Sequence, residues 1–459
     1  MAKVVIIGAG LTGLSTAFHL EQQGFFDYLI FEQEADHGGL CRSVRKDGFT
    51  FDYTGHFFHS NCSKTRQFLS GLMQSAPLYN HTRKSYIYSQ KTYTPYPYQT
   101  NLWGLDPETI IECITGFVQR KPAKKNANFD TWVNTHFGTG FAKHFFFPYQ
   151  EKIFDYPIHK LRTGWVGSVP QTTLEDILKG ALQERDIHSI GYNAQFWYPK
   201  AGGIDHLIQA FGNALKNTIY KNCCALSIDA TKKTVTLSDG HIEPYEHLVS
   251  TMPLNNCLRC IGMHKEAKKL LCNRIININL GIKREELSQK HWIYYPEKQY
   301  PFFRIGLPYT LGSMAPAGCS SLSIEIATMA DQTPRKIKDI SNEAIRAVQK
   351  LFNFNKQDIV TEQILLLPHA YVIYNAWREK HIDALLAHLD SQSIYSIGRY
   401  GAWKYSSMQD AIQDGQLMAD KITALSSTIY KPAKLIKQDS SKNSPTANKR
   451  YPISLKETS

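Results

Sequence analysis

Apolar runs too short to cross anything, broken by glycines and turns, set the pattern of this chain. Lys3–Ile7 carries a short run of apolar residues of the length expected for a buried strand. Gly8-Ala-Gly10-Leu-Thr-Gly13 follows at once, and Leu14–Gln23 places its apolar residues at helical spacing. Tyr28–Phe31 predicts a second strand, which ends in Glu32. The period thus changes from strand to helix and back within about 30 residues, the length of one βαβ unit. Further on, Ala225–Ile228, Thr234–Leu237 and Tyr245–Ser250 alternate between turns such as Ser238-Asp239-Gly240, which predicts an antiparallel meander. Helices are expected over Pro107–Phe117 and Leu174–Arg185, and strands over Ile275–Ile282 and Leu322–Thr328. Ile394-Tyr-Ser-Ile-Gly398-Arg399-Tyr-Gly401 reads as a strand and glycine turn, with a helix from about Met408 to Leu425.

The first unit carries chemistry. Gly8 suits a tight turn, Gly10 lets backbone approach a pyrophosphate, and Gly13 lets helix and strand pack closely. The N-terminus of the helix offers free N–H groups and positive dipole to phosphates. Glu32 lies 19 residues after Gly13, where a carboxylate can accept the hydroxyls of a ribose. Strand, glycines, helix, second strand and acid fall in register, which predicts dinucleotide binding.

Composition narrows the class. The 459 residues suggest two or three domains, and 42% hydrophobic with 20% charged residues is ordinary for a globular protein. Whole-chain disorder, collagen, coiled coil and small disulfide scaffolds are excluded. No apolar run approaches the roughly 18 residues of a membrane span, and Val4–Ile7 runs into the glycine turn as a folded strand does, so a cytoplasmic protein is expected. The nine cysteines are odd in number and lack framework spacing. Cys257-Leu-Arg-Cys260 stands without a second pair, so two thiols are expected and no metal. The net charge is +12, of which seven Lys/Arg against Asp439 and Glu457 lie beyond residue 430. Residues 427–459 therefore read as a disordered basic tail. The remaining positive charge suits an anionic ligand such as a nucleotide. No nucleic-acid motif is present.

Gly38-Gly39-Leu-Cys-Arg42-Ser43, directly after the acid, and Gly48-Phe-Thr-Phe-Asp52 with Gly55-His56 resemble the flavoprotein superfamily of amine oxidases, protoporphyrinogen oxidases and UDP-galactopyranose mutases. That resemblance implies FAD, with backbone of the glycine pair passing close to it and Arg42 near its phosphates or flavin edge. It implies an α/β (α+β overall) fold with a Rossmann-like FAD-binding domain that is discontinuous over 1–75, 196–255 and 390–426. Residues 76–195 would then be a mostly helical insertion and 256–389 an antiparallel-sheet substrate region. Arg399, Gly401 and Asp410 would meet the cofactor where the last helix begins.

Several segments resemble the mutase branch. Tyr96-Pro-Tyr98-Gln99-Thr-Asn101 and Phe147-Pro-Tyr149-Gln150-Glu-Lys152 are similar to stretches that contact the nucleotide. Gly55-His56-Phe-Phe-His59 looks like the histidine loop beside the flavin, and Trp292-Ile-Tyr-Tyr-Pro296 with Pro301-Phe-Phe-Arg304 like a strand pair. Ala370-Tyr371 and Gly398–Tyr405 resemble segments whose tyrosines touch the substrate diphosphate. The resemblance implies a redox-neutral ring contraction of a nucleotide sugar, in which N5 of reduced flavin attacks the anomeric carbon. His56, Tyr371, Tyr405 and Lys283 are the catalytic candidates. Tyr98, Gln99, Asn101, Tyr149, Gln150 and Arg304 are the substrate-binding candidates. A reductant such as NAD(P)H would visit transiently, and self-association is a habit of the family. The chain departs from the branch at its two phosphate-clamping arginines: the first matching segment, Gly164-Trp165-Val-Gly167, has none, and the second reads Lys283-Arg284. An FAD-dependent oxidoreductase taking hydride from a small substrate, and a flavin-binding protein without catalysis, stay open as alternatives.

Overall fold

The computed structural model describes residues 4–122, 127–184, 194–329 and 333–429. Its organising element is a five-stranded parallel sheet in the order 394–396, 247–250, 4–7, 28–31 and 219–220. Val4–Ile7 lies in the middle, paired in register with Tyr28–Phe31 on one side and His247–Ser250 on the other. All four of its residues are buried, as expected for a strand covered on both faces. The helix Leu11–Gln22 packs along the helix Met408–Ile429, so the two ends of the chain close one face of the sheet.

A second, seven-stranded sheet runs in the order 359–367, 274–282, 320–328, 304–306, 292–294, 85–89 and 92–95. Its neighbours are antiparallel except for Ser85–Ser89, which lies parallel to Trp292–Tyr294. The helices Pro107–Val118, Phe129–Phe141, Phe147–Phe154 and Leu174–Leu182 surround an aromatic core that reaches one face of this sheet.

Three expectations are corrected. The third meander strand is Ile242–Pro244, not Tyr245–Ser250, and His247–Ser250 belongs to the parallel sheet. Leu248, Val249 and Ser250 are fully buried, so apolar and small residues occupy both faces and mask the parallel strand. Segment 76–195 contributes the strands Leu78–Thr82, Ser85–Ser89 and Thr92–Pro95 beside its helices, because alternating tyrosines along 85–95 pair across a hairpin. Segment 256–389 carries two long helices, Pro334–Phe352 on the seven-stranded sheet and Ala376–Ser391 on the parallel sheet. The final helix continues to Ile429, and the rest of the segment read as a basic tail lies outside the described residues. All nine cysteines are free thiols, and Cys257 is fully buried with its pKa pushed up to about 12 by that burial. Among the described residues no helix is long and apolar enough to cross a membrane, and no group of His, Cys, Asp or Glu is arranged to hold a metal.

Candidate functional site

Parallel pairing of the first two strands sets the glycine turn beside the acid. Gly8 donates its N–H to Phe31 O at 2.7 Å, and Ala9 N–H donates to Glu32 Oε2 at 2.8 Å. Glu34 N–H donates to the other oxygen of Glu32 at 3.0 Å, and the side chain is only 6% exposed. Gly8 has φ +97°, a left-handed conformation that a side chain resists. A Cβ on Gly13 would stand 2.0 Å from Gly8 O, so only glycine allows helix and turn to pack. Gly10 caps the helix without a side chain, leaving the first-turn N–H groups to an incoming ligand.

A bare backbone channel continues from this turn. Gly38 N–H donates to Ala9 O at 2.8 Å, and a Cβ on Gly39 would lie 3.3 Å from Gly10 Cα. Arg42 holds that second turn through Nε to Gly39 O at 2.9 Å, and its guanidinium lies 4.7 Å from the Tyr53 ring. A glycine-walled channel that ends at a buried carboxylate and a helix N-terminus fits the pyrophosphate and ribose of FAD. Gly398 and Gly401 close the other side: Cβ atoms there would stand 2.7 Å from Thr12 Oγ1 and 2.9 Å from Ser250 O. The carboxylate of Asp410 is engaged by Ser407, accepting its N–H at 2.7 Å and its hydroxyl at 2.9 Å, and so caps the last helix.

Beyond the channel, cations and phenols gather between the two sheets. Arg399 donates from Nη1 to Ser406 O at 2.7 Å, and its guanidinium lies 4.9 Å from the Tyr405 ring and 5.9 Å from that of Tyr371. Arg304 forks onto Glu325 at 2.7 and 2.8 Å. Tyr149 sits 5.3 Å from Tyr294, which is 5.4 Å from Tyr96, and Arg83 lies 4.7 Å from the Tyr96 ring. Burial raises the pKa values of Tyr96, Tyr149, Tyr294 and Tyr371 above the ordinary value, so these phenols stay protonated as hydrogen-bond donors. Beside them lies a small cavity of about 20 Å³, lined by Thr54, Phe57, Trp292, Arg304, Leu307 and Glu325 among others. His56 comes from the same 52–57 segment, and burial together with Arg399 and Arg304 holds its pKa down to about 4.

His56, Tyr149, Arg304, Tyr371, Arg399 and Tyr405 thus come together. Other candidates do not join them. Tyr98 is fully buried against Phe145, ring centroids 5.0 Å apart. Gln99 donates to Pro170 O at 2.6 Å and Asn101 to Pro97 O at 3.0 Å, so both brace the loop behind Tyr96. Gln150 is buried on the same helix as Tyr149. Lys283 is exposed just past the end of Arg274–Ile282, with its N–H on Asp358 O at 2.7 Å. That strand is about 30 Å long at ~3.3 Å per residue, and Tyr371 is bound at its opposite end, beside Asn273. Arg304, rather than Lys283, therefore stands beside Tyr371 and the cavity. Sequence reasoning did not single out Arg83, Tyr96 and Tyr294, which join the cluster of cations and phenols through Tyr149. The two tyrosines stood inside matched segments, whereas Arg83 is a single basic residue between strands with no pattern around it.

A family model described as flavin containing amine oxidoreductase matches residues 11–423. The chain belongs to that family. Within this flavin amine oxidoreductase fold, the crystal structure of reduced UDP-galactopyranose mutase is similar at 27% identity and TM-score 0.85, covering 94% of this chain and 97% of that one. Wild-type putrescine oxidase bound to putrescine shares the fold at 14% identity and TM-score 0.61, over 92% and 99% of the two chains. Coproporphyrinogen III oxidase of Staphylococcus aureus is 33% identical over 130 residues, 28% of each chain. The 4,4'-diapophytoene desaturase of the same species is 46% identical over 50 residues, 11% of this chain and 10% of that one. The match therefore spans between a tenth and about a quarter of the length of these curated relatives. The protein is an FAD-dependent flavoenzyme.

The buried histidines of this oxidoreductase-family chain predict acid sensitivity. Burial holds His56, His59 and His369 near 4, against 6.5 for a free histidine. Between those pH values the unfolded chain binds protons at these sites and the folded chain does not, so lowering the pH favours unfolding. Asp52 opposes this, because burial lifts it from 3.8 to about 6 and the folded state then holds the extra proton. Three groups outweigh one, each acting at about 1.4 kcal/mol per pH unit. The unfolding midpoint in denaturant is expected to fall steadily from pH 7 to pH 4.5. An unchanged midpoint would contradict the neutral, buried state of these rings.

Proposed function

We propose that this enzyme catalyses a mutase-type, redox-neutral rearrangement of a nucleotide sugar, with FAD in its reduced form. The observation that carries this reading is the cluster of cations and phenols beside the cavity. Arg304 and Arg399 stand among the phenols of Tyr149, Tyr371 and Tyr405, the first two held protonated by burial. A leaving diphosphate develops negative charge, and fixed cations and phenol donors stabilise that charge in a site of low dielectric. The one carboxylate facing this cluster, Glu325, is neutralised by Arg304 and is not free to repel an anion. The similarity to UDP-galactopyranose mutase over nearly the whole chain supports the same reading.

The roles follow from position. Gly8, Gly10, Gly13, Glu32, Gly38, Gly39 and Arg42 would hold the pyrophosphate and ribose of FAD. Reduced flavin would supply a nucleophile toward the sugar carbon that the diphosphate leaves. Tyr371 and Tyr405 donate hydrogen bonds to that diphosphate, and Arg399 and Arg304 balance its charge. His56, uncharged above pH 4, keeps a further positive charge away from the flavin edge.

A hydride-taking oxidoreductase is the second reading. The likeness to coproporphyrinogen III oxidase favours it, since the same cations would also accept substrate carboxylates. The holoenzyme reduced by dithionite and given UDP-galactopyranose separates the two. Isomerisation without consumption of reductant is expected. Bleaching of the oxidised flavin by a porphyrinogen or amine, with no isomerisation, would establish the second reading instead.

A further inference from the structure

Residues 370–374 have no regular secondary structure of their own beyond an isolated bridge at Val372, yet they touch both the helix that carries Tyr149 and the segment that carries Tyr405. Tyr371 is held by Asn273, which is fully buried. Asn273 Oδ1 accepts the Tyr371 N–H at 2.8 Å, and its own N–H donates to Tyr371 O at 3.0 Å. The same side chain donates from Nδ2 to Ile153 O at 2.7 Å, in the last turn of the helix that carries Tyr149. Three residues on, the buried Tyr374 hydroxyl accepts the N–H of Tyr405 at 2.7 Å. Tyr374 O accepts the Arg162 N–H at 2.6 Å, and Tyr400 donates its hydroxyl to Ala370 O at 3.1 Å.

We propose that 370–374 is a strap that spaces the cavity tyrosines, with Asn273 and Tyr374 as its positioning residues: Asn273 locks Tyr371 to the Tyr149 helix, and Tyr374 locks Tyr405 to Tyr371. The strap deepens the reading of this face as a diphosphate site and rests on it for its functional consequence. Tyr405 needs such a tie. It is 42% exposed, in an irregular stretch that ends only where the last helix begins at Met408. Asn273 is suited to its task because an amide offers a donor and an acceptor at once, and both ends here meet main-chain groups. Leaving either group buried and unpaired costs more than the bond itself contributes, so the side chain fixes one geometry.

Two variants of the FAD-loaded full chain test the strap. Tyr374→Phe deletes one oxygen atom. Amide exchange across 403–407 is expected to rise about fivefold while 147–154 exchanges as in the wild type. UDP, followed by the change it causes in the flavin spectrum, is expected to bind about fivefold more weakly. Adding Tyr374→Phe to Tyr405→Phe should weaken binding further by about twofold at most, because the two act through one hydroxyl. Asn273→Ser should speed exchange in 370–373 and 147–154 together. Unchanged exchange across 403–407 in Tyr374→Phe, or full additivity with Tyr405→Phe, would overturn the strap. Wild-type protein that ignores UDP would remove the nucleotide-sugar reading, and the exchange pattern of Tyr374→Phe would then decide the strap by itself, also if Asn273→Ser does not fold.

Discussion

Gly13→Ala is expected to yield protein with less than about a tenth of the wild-type flavin, or none that folds. A methyl group at this position would stand 2.0 Å from Gly8 O and 3.1 Å from Gly8 C. Both are backbone atoms of the phosphate-binding turn, so relief requires the turn or the helix to move rather than a side chain to rotate. Moving the turn also displaces the Ala9 N–H from Glu32 and so the carboxylate meant for the ribose. Gly71→Ala is the control. It lies on an exposed position in the last turn of its helix with open space around it, where alanine costs nothing by contact and gains at most roughly 0.5 kcal/mol. Absorbance near the flavin bands after gel filtration measures both. Full flavin content in Gly13→Ala would show that the turn does not carry the cofactor.

Arg304→Leu is expected to cost about 3–5 kcal/mol of stability, the range for removing one partner of a buried ion pair. Glu325 is 1% exposed and receives both bonds of the guanidinium. Without them its carboxylate is stranded next to Tyr371 and Tyr149. Replacing both partners, Arg304→Met with Glu325→Leu, is expected to restore most of the stability, since neither charge is then left buried alone. UDP binding should not return in the double variant, because the cation facing the cavity is gone. Denaturant melts followed by release of flavin fluorescence measure the first effect, and UDP titration the second. A stable single variant would show that water reaches Glu325, and UDP binding by the double variant would remove Arg304 from the site.

The two ends of the site differed in how far they could be read. The nucleotide end lies within Val4–Glu32 and the glycine pair at 38–39, and every requirement there is local. Backbone approach demands glycine, a ribose demands an acid at the end of the next strand, and short-range order sets the spacing. The proposed substrate end draws on residues 56, 83, 96, 149, 294, 304, 371, 399 and 405. Tyr371, Tyr405, Arg399 and His56 were found because they sit in recognisable segments. Tyr98 was read as a contact although it faces the helical core, because it opens the short 3-10 turn Tyr98–Thr100 and so leaves the strand alternation that would keep it on the side of Tyr96. The meander failed for a related reason: His247–Ser250 is covered on both faces, and two-sided burial erases the alternation that identifies a partner sheet.

What the sequence by itself determined was the dinucleotide turn, its acid and the flavoprotein class, because glycine geometry and a βαβ unit need no distant partner to be legible. Tertiary structure alone decided which cation meets the cavity. Lys283 follows one strand and Arg304 opens another of the same sheet, and nothing local records which point along a nine-residue strand lies against the cavity. That choice was made by the pairing of Arg304 with Glu325 across two neighbouring strands, a long-range contact whose register follows from how the whole sheet packs.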